Sequence, residues 1–167
     1  MRHKIILIAW TIALTVLFYV TAHAKADDYA LRGGAAVSNS GLDGSSKIFG
    51  LRHEADLFYG VSTAEEIGGF VDNGGAGRKG SVLGKLQLGI TPGRPVGVFG
   101  KVFTGPCVIS APDSQLGSWY QWSTDFGLGI RDERTWIAVT YSHISNAGVK
   151  LPNHGRDALV MEMGFRL

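Results

Sequence analysis

The clearest candidate for chemistry in this sequence is a histidine and a serine two residues apart near the C-terminus, His143 and Ser145. Residues 135–145 show a period of two that predicts a β-strand, on which every second side chain points to the same face. Two residues apart on a strand corresponds to about 6.5 to 7 Å between Cα atoms, a gap that these side chains can close to a hydrogen bond. A serine with such a base is an activated nucleophile, so the pair indicates acyl transfer.

A carboxylate that would complete the set is Asp157, at the start of the next predicted strand, residues 157–167. In an antiparallel pair the start of one strand lies beside the end of the strand before it, so we expect Asp157 next to His143. There it would orient the imidazole. Glu162 is the competing acid, but parity sends it to the opposite face, where Arg166 is a same-face partner of opposite charge.

The same alternation recurs along the chain and predicts eight strands. Alternation alone fits either a soluble sandwich or a membrane barrel, whose apolar face contacts lipid while the polar face fills the interior. An export signal, segments of about ten residues and charges of both signs on the polar faces favour the barrel. The third strand, residues 63–71, contains two adjacent acids, Glu65 and Glu66, so one of them must face outward or lie near an end. The predicted connections lie near residues 39–46, 60–62, 72–79, 91–95, 104–117, 131–134 and 146–156.

The predicted fold class is therefore all-β, an eight-stranded antiparallel transmembrane β-barrel of the outer-membrane type. Long and short connections take turns in this assignment, as they do between the outside and the periplasm in such barrels. The seventh strand then rises to the outside, and His143 and Ser145 would lie at the outer leaflet. A polar set on a lipid-facing wall is costly unless it has a function, so we expect the substrate to be a membrane lipid.

The N-terminus has the pattern of a signal peptide. A basic start, Arg2 to Lys4, is followed by an apolar run that ends at Val20 and by small residues around a cleavage site after Ala24. The run is shorter than the roughly 20 residues of a spanning helix, so an uncleaved anchor is the less favoured alternative. We expect residues 1–24 to be the signal peptide and residues 25–167 the barrel domain of the cell outer membrane.

Charge and cysteine content exclude several classes of protein. Without Arg2 and Lys4 the chain carries 14 basic and 14 acidic side chains, which argues against nucleic acid as a partner, because phosphate binding needs a clustered basic surface. The single cysteine, Cys107, allows no intrachain disulfide and does not lie at the cleavage site, so no lipid anchor is expected. Since no residues have the spacing of metal ligands, we expect neither a metal nor another cofactor.

The other histidines and the aromatic residues have less specific explanations. His53 lies on an apolar face at the predicted rim of the barrel and His154 in a loop, and neither has a serine and an aspartate beside it by parity. We assign Tyr120, Trp122 and Tyr141 to the aromatic girdles at the membrane interfaces, with substrate contact as a secondary role.

The C-terminal segment resembles the lipid A 3-O-deacylase (PagL) family. The residues that carry the resemblance are His143-Ile144-Ser145-Asn146-Ala147-Gly148, Lys150, Pro152, Asn153, Gly155 and Asp157. Family members are eight-stranded outer-membrane barrels that hydrolyse the 3-hydroxyacyl ester at position 3 of lipid A.

The resemblance implies roles for individual residues. Ser145 would be the nucleophile, His143 the general base and then acid, and Asp157 the orienting carboxylate, a position at which the family usually has Glu. The side-chain amide of Asn146 and backbone N–H groups near Gly148 would stabilise the oxyanion.

The sequence thus predicts an outer-membrane esterase that removes the 3-hydroxyacyl chain from position 3 of lipid A by a Ser-His-Asp mechanism. Its partner would be lipid A or lipopolysaccharide in the outer leaflet. Two alternatives stay open: an outer-membrane phospholipase that uses the same site, and a non-catalytic barrel with a structural or adhesive role. The sequence is equally compatible with a monomer and with a homodimer.

Overall fold

The computed structural model describes residues 27–38, 41–58, 60–72, 79–92, 96–111, 116–146, 148–151 and 154–167. The predicted signal peptide, residues 1–24, lies outside the described residues. Among the described residues, no helix is long and apolar enough to cross a membrane. The strands are β1 Asp27–Ser38, β2 Gly41–Phe58, β3 Val61–Asp72, β4 Lys79–Ile90, β5 Gly97–Ile109, β6 Tyr120–Arg131, β7 Thr135–Ser145 and β8 Arg156–Arg166.

These strands form a closed barrel in which each is antiparallel to the next and β8 pairs with β1. The predicted fold class is confirmed. Side chains alternate between the two faces of the wall along most of each strand, and the outward-facing ones are mostly large and apolar. Examples that are more than half exposed are Leu31, Leu51, Ile67, Leu88, Leu128 and Met161. Such an apolar outer surface suits hydrocarbon and not water.

Charged side chains fill the interior. Among the described residues, four cations and four acids form one buried, connected cluster of ion pairs: Arg32, Arg52, Lys85, Lys101, Glu54, Glu66, Asp125 and Glu162. They pair across the barrel, with Arg52 Nη1 2.9 Å from Asp125 Oδ2 and Lys101 Nζ 2.8 Å from Glu54 Oε1. Burying a charge is tolerable only when it is paired and hydrogen-bonded, which explains why both signs lie on the same face.

The ion-pair partner predicted for Glu162 is wrong. Glu162 pairs with Arg32 and Lys101 in the interior, whereas Arg166 donates hydrogen bonds of 2.8 and 3.0 Å to the Asp28 carboxylate. The reason is the closure of the barrel, because β1 and β8 place Asp28 directly opposite Arg166. The adjacent acids of β3 also separate as parity requires, with Glu66 inside and Glu65 on the outer face beside His53.

Two predicted connections are shorter than expected because the strands extend further. β2 begins at Gly41, after a shift of pairing between Ala35 and Ala36 of β1. β5 continues to Ile109 and includes Gly105, where a side-chain Cβ would lie 2.1 Å from the carbonyl oxygen of Leu86. A glycine followed by a proline suggests a turn, but here the glycine permits a close approach of β4 and β5.

The other connections fix the orientation of the barrel. β1 begins at Asp27 and β8 ends at Arg166. Both residues lie at the same rim of the barrel as the connections after β2, β4 and β6. We assign this rim to the periplasm, because the turns of outer-membrane barrels are short on that side. The end of β7 and the start of β8 therefore lie at the outer leaflet.

Candidate active site

The site is built on the last two strands, where His143 of β7 lies directly opposite Asp157 of β8. The His143 Nδ1 atom is 2.6 Å from Asp157 Oδ1. Both side chains are on the outer face, 41% and 39% exposed. The imidazole and the carboxylate thus pair on the lipid-facing wall, near the outer rim, as strand parity predicts.

This contact selects the tautomer of the imidazole. A carboxylate oxygen can only accept, so Nδ1 carries the hydrogen that it donates to Asp157. In neutral His143 the other ring nitrogen, Nε2, is then unprotonated and able to accept a proton. The pair therefore has the chemical form of a general base held in orientation by an acid.

Gly155, a residue of the segment that resembles the family, also lies at the site. It has a φ of +70°, a backbone conformation that a residue with a side chain rarely adopts. A Cβ at this position would lie 2.9 Å from His143 Cε1 and 3.7 Å from Nε2. The missing side chain leaves room for the imidazole and keeps its basic edge accessible.

Ser145 is the last residue of β7 and shares the outer face with His143. It is half-buried and lies opposite Trp122 of β6. Its hydroxyl makes no hydrogen bond to another residue that the structure describes, so the serine-histidine contact is not formed in this arrangement. Such contacts are often long in free enzymes and tighten only around a substrate.

The structure does not place Asn146 and Gly148 as oxyanion donors. Asn146 is fully buried, and its Nδ2 atom donates to the carbonyl oxygens of Leu116 and Lys150 at 2.9 and 2.6 Å. The Gly148 N–H donates to Asn146 Oδ1 at 3.0 Å. Asn146 follows Ser145 and therefore turns inward, where it ties the β7–β8 connection to the segment before β6.

The remaining candidate residues lie elsewhere or play another part. His154 is exposed in the β7–β8 connection. His53 lies on the outer face toward the periplasmic rim, 3.3 Å from Asp27 and stacked on Tyr29. Tyr141 and Trp122 face outward, and Tyr141 lies close to the Asp157 carboxylate. Tyr141 thus flanks the His143–Asp157 pair.

Comparison with known families gives one match. The family model described as lipid A 3-O-deacylase (PagL) matches residues 58–166, more than half of the chain. The matched region contains the whole β7–β8 site. No curated protein sequence matches the chain.

Several solved structures share the fold. The outer-membrane enzyme PagL aligns with a TM-score of 0.61 and 18% identity, over 82% of this chain and 97% of that one. The N-terminal β-barrel domain of OprF from Pseudomonas aeruginosa has a TM-score of 0.61 and 14% identity, over 86% and 98% of the two chains. Ail of Yersinia pestis has a TM-score of 0.54 and 12% identity, over 87% and 99%. At these identities the likeness establishes the barrel fold alone.

Proposed function

Because the chain belongs to the lipid A 3-O-deacylase (PagL) family, we propose that it removes the 3-hydroxyacyl chain that is ester-linked at position 3 of lipid A. The observation that carries this proposal is the His143–Asp157 pair on the lipid-facing wall of an outer-membrane barrel. Two ionisable side chains exposed to lipid are costly, and a functional site accounts for that cost. Their position near the outer rim matches the leaflet that contains lipopolysaccharide.

In the proposed mechanism, Ser145 Oγ attacks the ester carbonyl carbon while His143 Nε2 takes its proton. Asp157 stabilises the imidazolium that forms. The tetrahedral intermediate then collapses, the bond to the glucosamine oxygen breaks, and His143 returns the proton to that oxygen. The acyl chain remains as an ester of Ser145, and lipid A keeps a free hydroxyl at position 3.

The second half of the reaction releases the acyl chain. His143 takes a proton from a water molecule, which attacks the carbonyl carbon of the acyl-serine, and Ser145 leaves with that proton. A free 3-hydroxy fatty acid is produced. Because the donors of Asn146 and Gly148 are engaged in the β7–β8 connection, their expected role at the oxyanion requires this connection to rearrange when substrate binds.

The direct test is mass spectrometry of lipid A from Gram-negative cells that express the wild-type chain or Ser145→Ala. We expect the wild type to remove one 3-hydroxyacyl group, and Ser145→Ala to remove none while inserting normally. Removing a catalytic nucleophile typically costs several powers of ten in rate.

The same experiment separates the alternatives. Release of fatty acid from phospholipid, with lipid A unchanged, would favour the outer-membrane phospholipase. If neither lipid changes although the barrel is inserted and the 3-linked ester is present, the proposed activity is wrong and a structural or adhesive barrel is the better explanation.

We also propose that residues 1–24 are a signal peptide that is removed during export. The pattern of a basic start, an apolar run and small residues before the cleavage site supports this. The intact mass of the protein purified from outer membranes should correspond to residues 25–167, and retention of Met1 would contradict it.

A further inference from the structure

Polar side chains continue from the catalytic pair across the lipid-facing wall. Asp157 and His143 are followed in register by Thr124 of β6, which lies opposite His143, and by Thr104 of β5, which lies opposite Thr124. All four side chains are on the outer face. They form a row across four neighbouring strands, from Asp157 on β8 to Thr104 on β5.

The two threonines and a tryptophan are joined by hydrogen bonds. Trp122 Nε1, from the residue opposite Ser145, donates to Thr104 Oγ1 at 2.8 Å. Thr104 Oγ1 is 3.0 Å from Thr124 Oγ1 and 3.3 Å from the Ser123 carbonyl oxygen. Since a hydroxyl has one hydrogen and two lone pairs, Thr124 retains a free lone pair whichever threonine donates. The row thus presents an acceptor beside the catalytic histidine.

The surroundings of this row are apolar. Val102 and Phe126 lie on the same outer face on the periplasmic side of the threonines, and both are exposed. Pro106 lies on the side toward the outer rim. Valine at either threonine position would fill a similar volume without presenting a polar group to hydrocarbon. The Thr104 hydroxyl accepts the Trp122 indole N–H, whereas the Thr124 hydroxyl needs a reason beyond packing, and proximity to the site provides one.

Thr124 is a diagonal neighbour of Ser145 across the β6–β7 pair. Such neighbours have Cα atoms about 7–8 Å apart, and both of these side chains point outward. An acyl group on Ser145 places its third carbon two bonds from the carbonyl carbon, which puts a hydroxyl on that carbon within reach of Thr124. A 3-hydroxyl is a donor, and the lone pair of Thr124 is its complement.

We propose that Thr124, positioned by Thr104 and Trp122, accepts a hydrogen bond from the 3-hydroxyl of the acyl chain and makes the enzyme select hydroxylated chains. This inference rests on the proposed function and adds a specificity-determining residue to it. A neutral hydrogen bond of this kind corresponds to a preference of about tenfold. Plain acyl esters would leave Thr124 without this partner.

The test uses two lipid A preparations that carry either 3-hydroxymyristate or myristate at position 3, each in the same mixed micelles. Initial rates of fatty-acid release are measured for the wild type, Thr124→Val and the matched control Thr124→Ser. We expect the wild type to favour the hydroxylated chain about tenfold. Thr124→Val should bring the ratio of the two rates close to one, whereas Thr124→Ser, which keeps the hydroxyl, should preserve most of the preference.

Two results would overturn the inference while leaving the proposed function intact. One is a wild type that releases both chains at equal rates. The other is a Thr124→Val variant in which both rates fall by the same factor, so that their ratio is unchanged. A wild type that releases neither chain would overturn the proposed function, and this inference with it.

Discussion

Gly155 shows how a residue without a side chain can position an imidazole, here that of the proposed base His143. Its left-handed backbone brings the β7–β8 connection against the edge of the His143 ring that includes Cε1 and Nε2. Asp157 holds the opposite side of the ring through Nδ1. The imidazole is thus confined from two directions, which reduces the loss of rotational freedom needed to reach a reactive geometry.

We predict that Gly155→Ala lowers deacylase activity by about a hundredfold, because the added Cβ displaces the imidazole from its place beside Ser145. Initial rates of fatty-acid release measure this. Gly60→Ala is the matched control, since Gly60 also has a positive φ, +78°, but no described atom lies within 4 Å of its missing Cβ. Equal losses in the two variants would show that backbone strain, and not contact with His143, is responsible.

Sequence parity was sufficient to bring His143 and Asp157 together, because few pairings of β7 with β8 are compatible with their connection, and Asp157 is the first outward-facing residue of β8. Parity did not reveal the role of Gly155, since the path of a connection is not periodic. Nor did it show that Asn146, which parity turns inward, donates hydrogen bonds to the carbonyl groups of Leu116 and Lys150. That residue follows the last residue of β7, and its role depends on which carbonyl groups of other segments lie within reach.

Asn146 allows a loop-anchoring role to be distinguished from an oxyanion role. We predict that Asn146→Ala lowers the free energy of unfolding by about 1–3 kcal/mol, because the carbonyl oxygens of Leu116 and Lys150 lose a buried donor. Urea unfolding in lipid vesicles measures this. A variant that keeps its stability but loses kcat would instead support direct contact with the oxyanion.

At the scale of elements, the strands that carry the site also depend on the turn between β6 and β7. In this turn the Asp132 carboxylate accepts hydrogen bonds from the N–H groups of Thr135 and Arg134, at 2.6 and 2.8 Å, and from the Thr135 hydroxyl at 2.9 Å. These hydrogen bonds hold the pKa of Asp132 below its ordinary value, and the bond from the Thr135 N–H has the largest effect. The turn is therefore stabilised by the ionised form.

We predict that Asp132→Ala lowers the urea midpoint of unfolding at pH 7 and that the difference from wild type disappears in acid. A depressed pKa in the folded state means that the stabilisation is complete above the unfolded value, about 3.9. It is lost as the pH falls through the lower pKa of the folded state. Unfolding in vesicles from pH 7 down to pH 3 measures it. Glu133→Ala, at the exposed neighbouring position, is the control. A difference in urea midpoint between Asp132→Ala and the wild type that does not depend on pH would contradict a role for the ionised Asp132 carboxylate.

The strand pattern was predictable wherever both faces had distinct chemistry, as in β7. The strand pattern was not predictable where a strand contains residues typical of turns. Gly105 and Pro106 of β5 suggested a connection, yet Cys107 and Ile109 beyond them are buried in the interior. In the pairing of β4 with β5, Lys85 lies opposite Cys107 and the next pair is Leu88 opposite Thr104. Pro106 lies between these two pairs and has no N–H to donate.

At the scale of the whole molecule, the interior of the barrel is held by charge pairs where a soluble protein would have an apolar core. The cluster is balanced only as a set, since most members contact more than one partner. Lys101, for example, donates to both Glu54 and Glu162 and lies 4.5 Å from the centre of the Trp136 ring. Removing one member therefore leaves its buried partners with one opposite charge fewer.

We predict that Lys101→Met lowers the free energy of unfolding by roughly 3–5 kcal/mol, because Glu54 and Glu162 each lose a buried cation and the cluster is left with more acids than cations. Adding Glu162→Gln to this variant should restore part of the loss. Urea unfolding in vesicles measures both. Lys47→Met, at an exposed position on the outer face, is the control and should change stability by less than about 0.5 kcal/mol. Equal effects at the two lysines would contradict a structural role for the cluster.

The wall of the barrel is a single layer of backbone, with the proposed catalytic side chains on the outside and the charge cluster on the inside. The proposed enzyme consequently presents this site directly to the surrounding leaflet. It would meet lipid A by lateral diffusion within the leaflet, so its turnover would depend on the number of substrate molecules per unit area and not on their concentration in bulk solution. Changes in how tightly the surrounding lipids pack would then alter the rate without any contact with the protein.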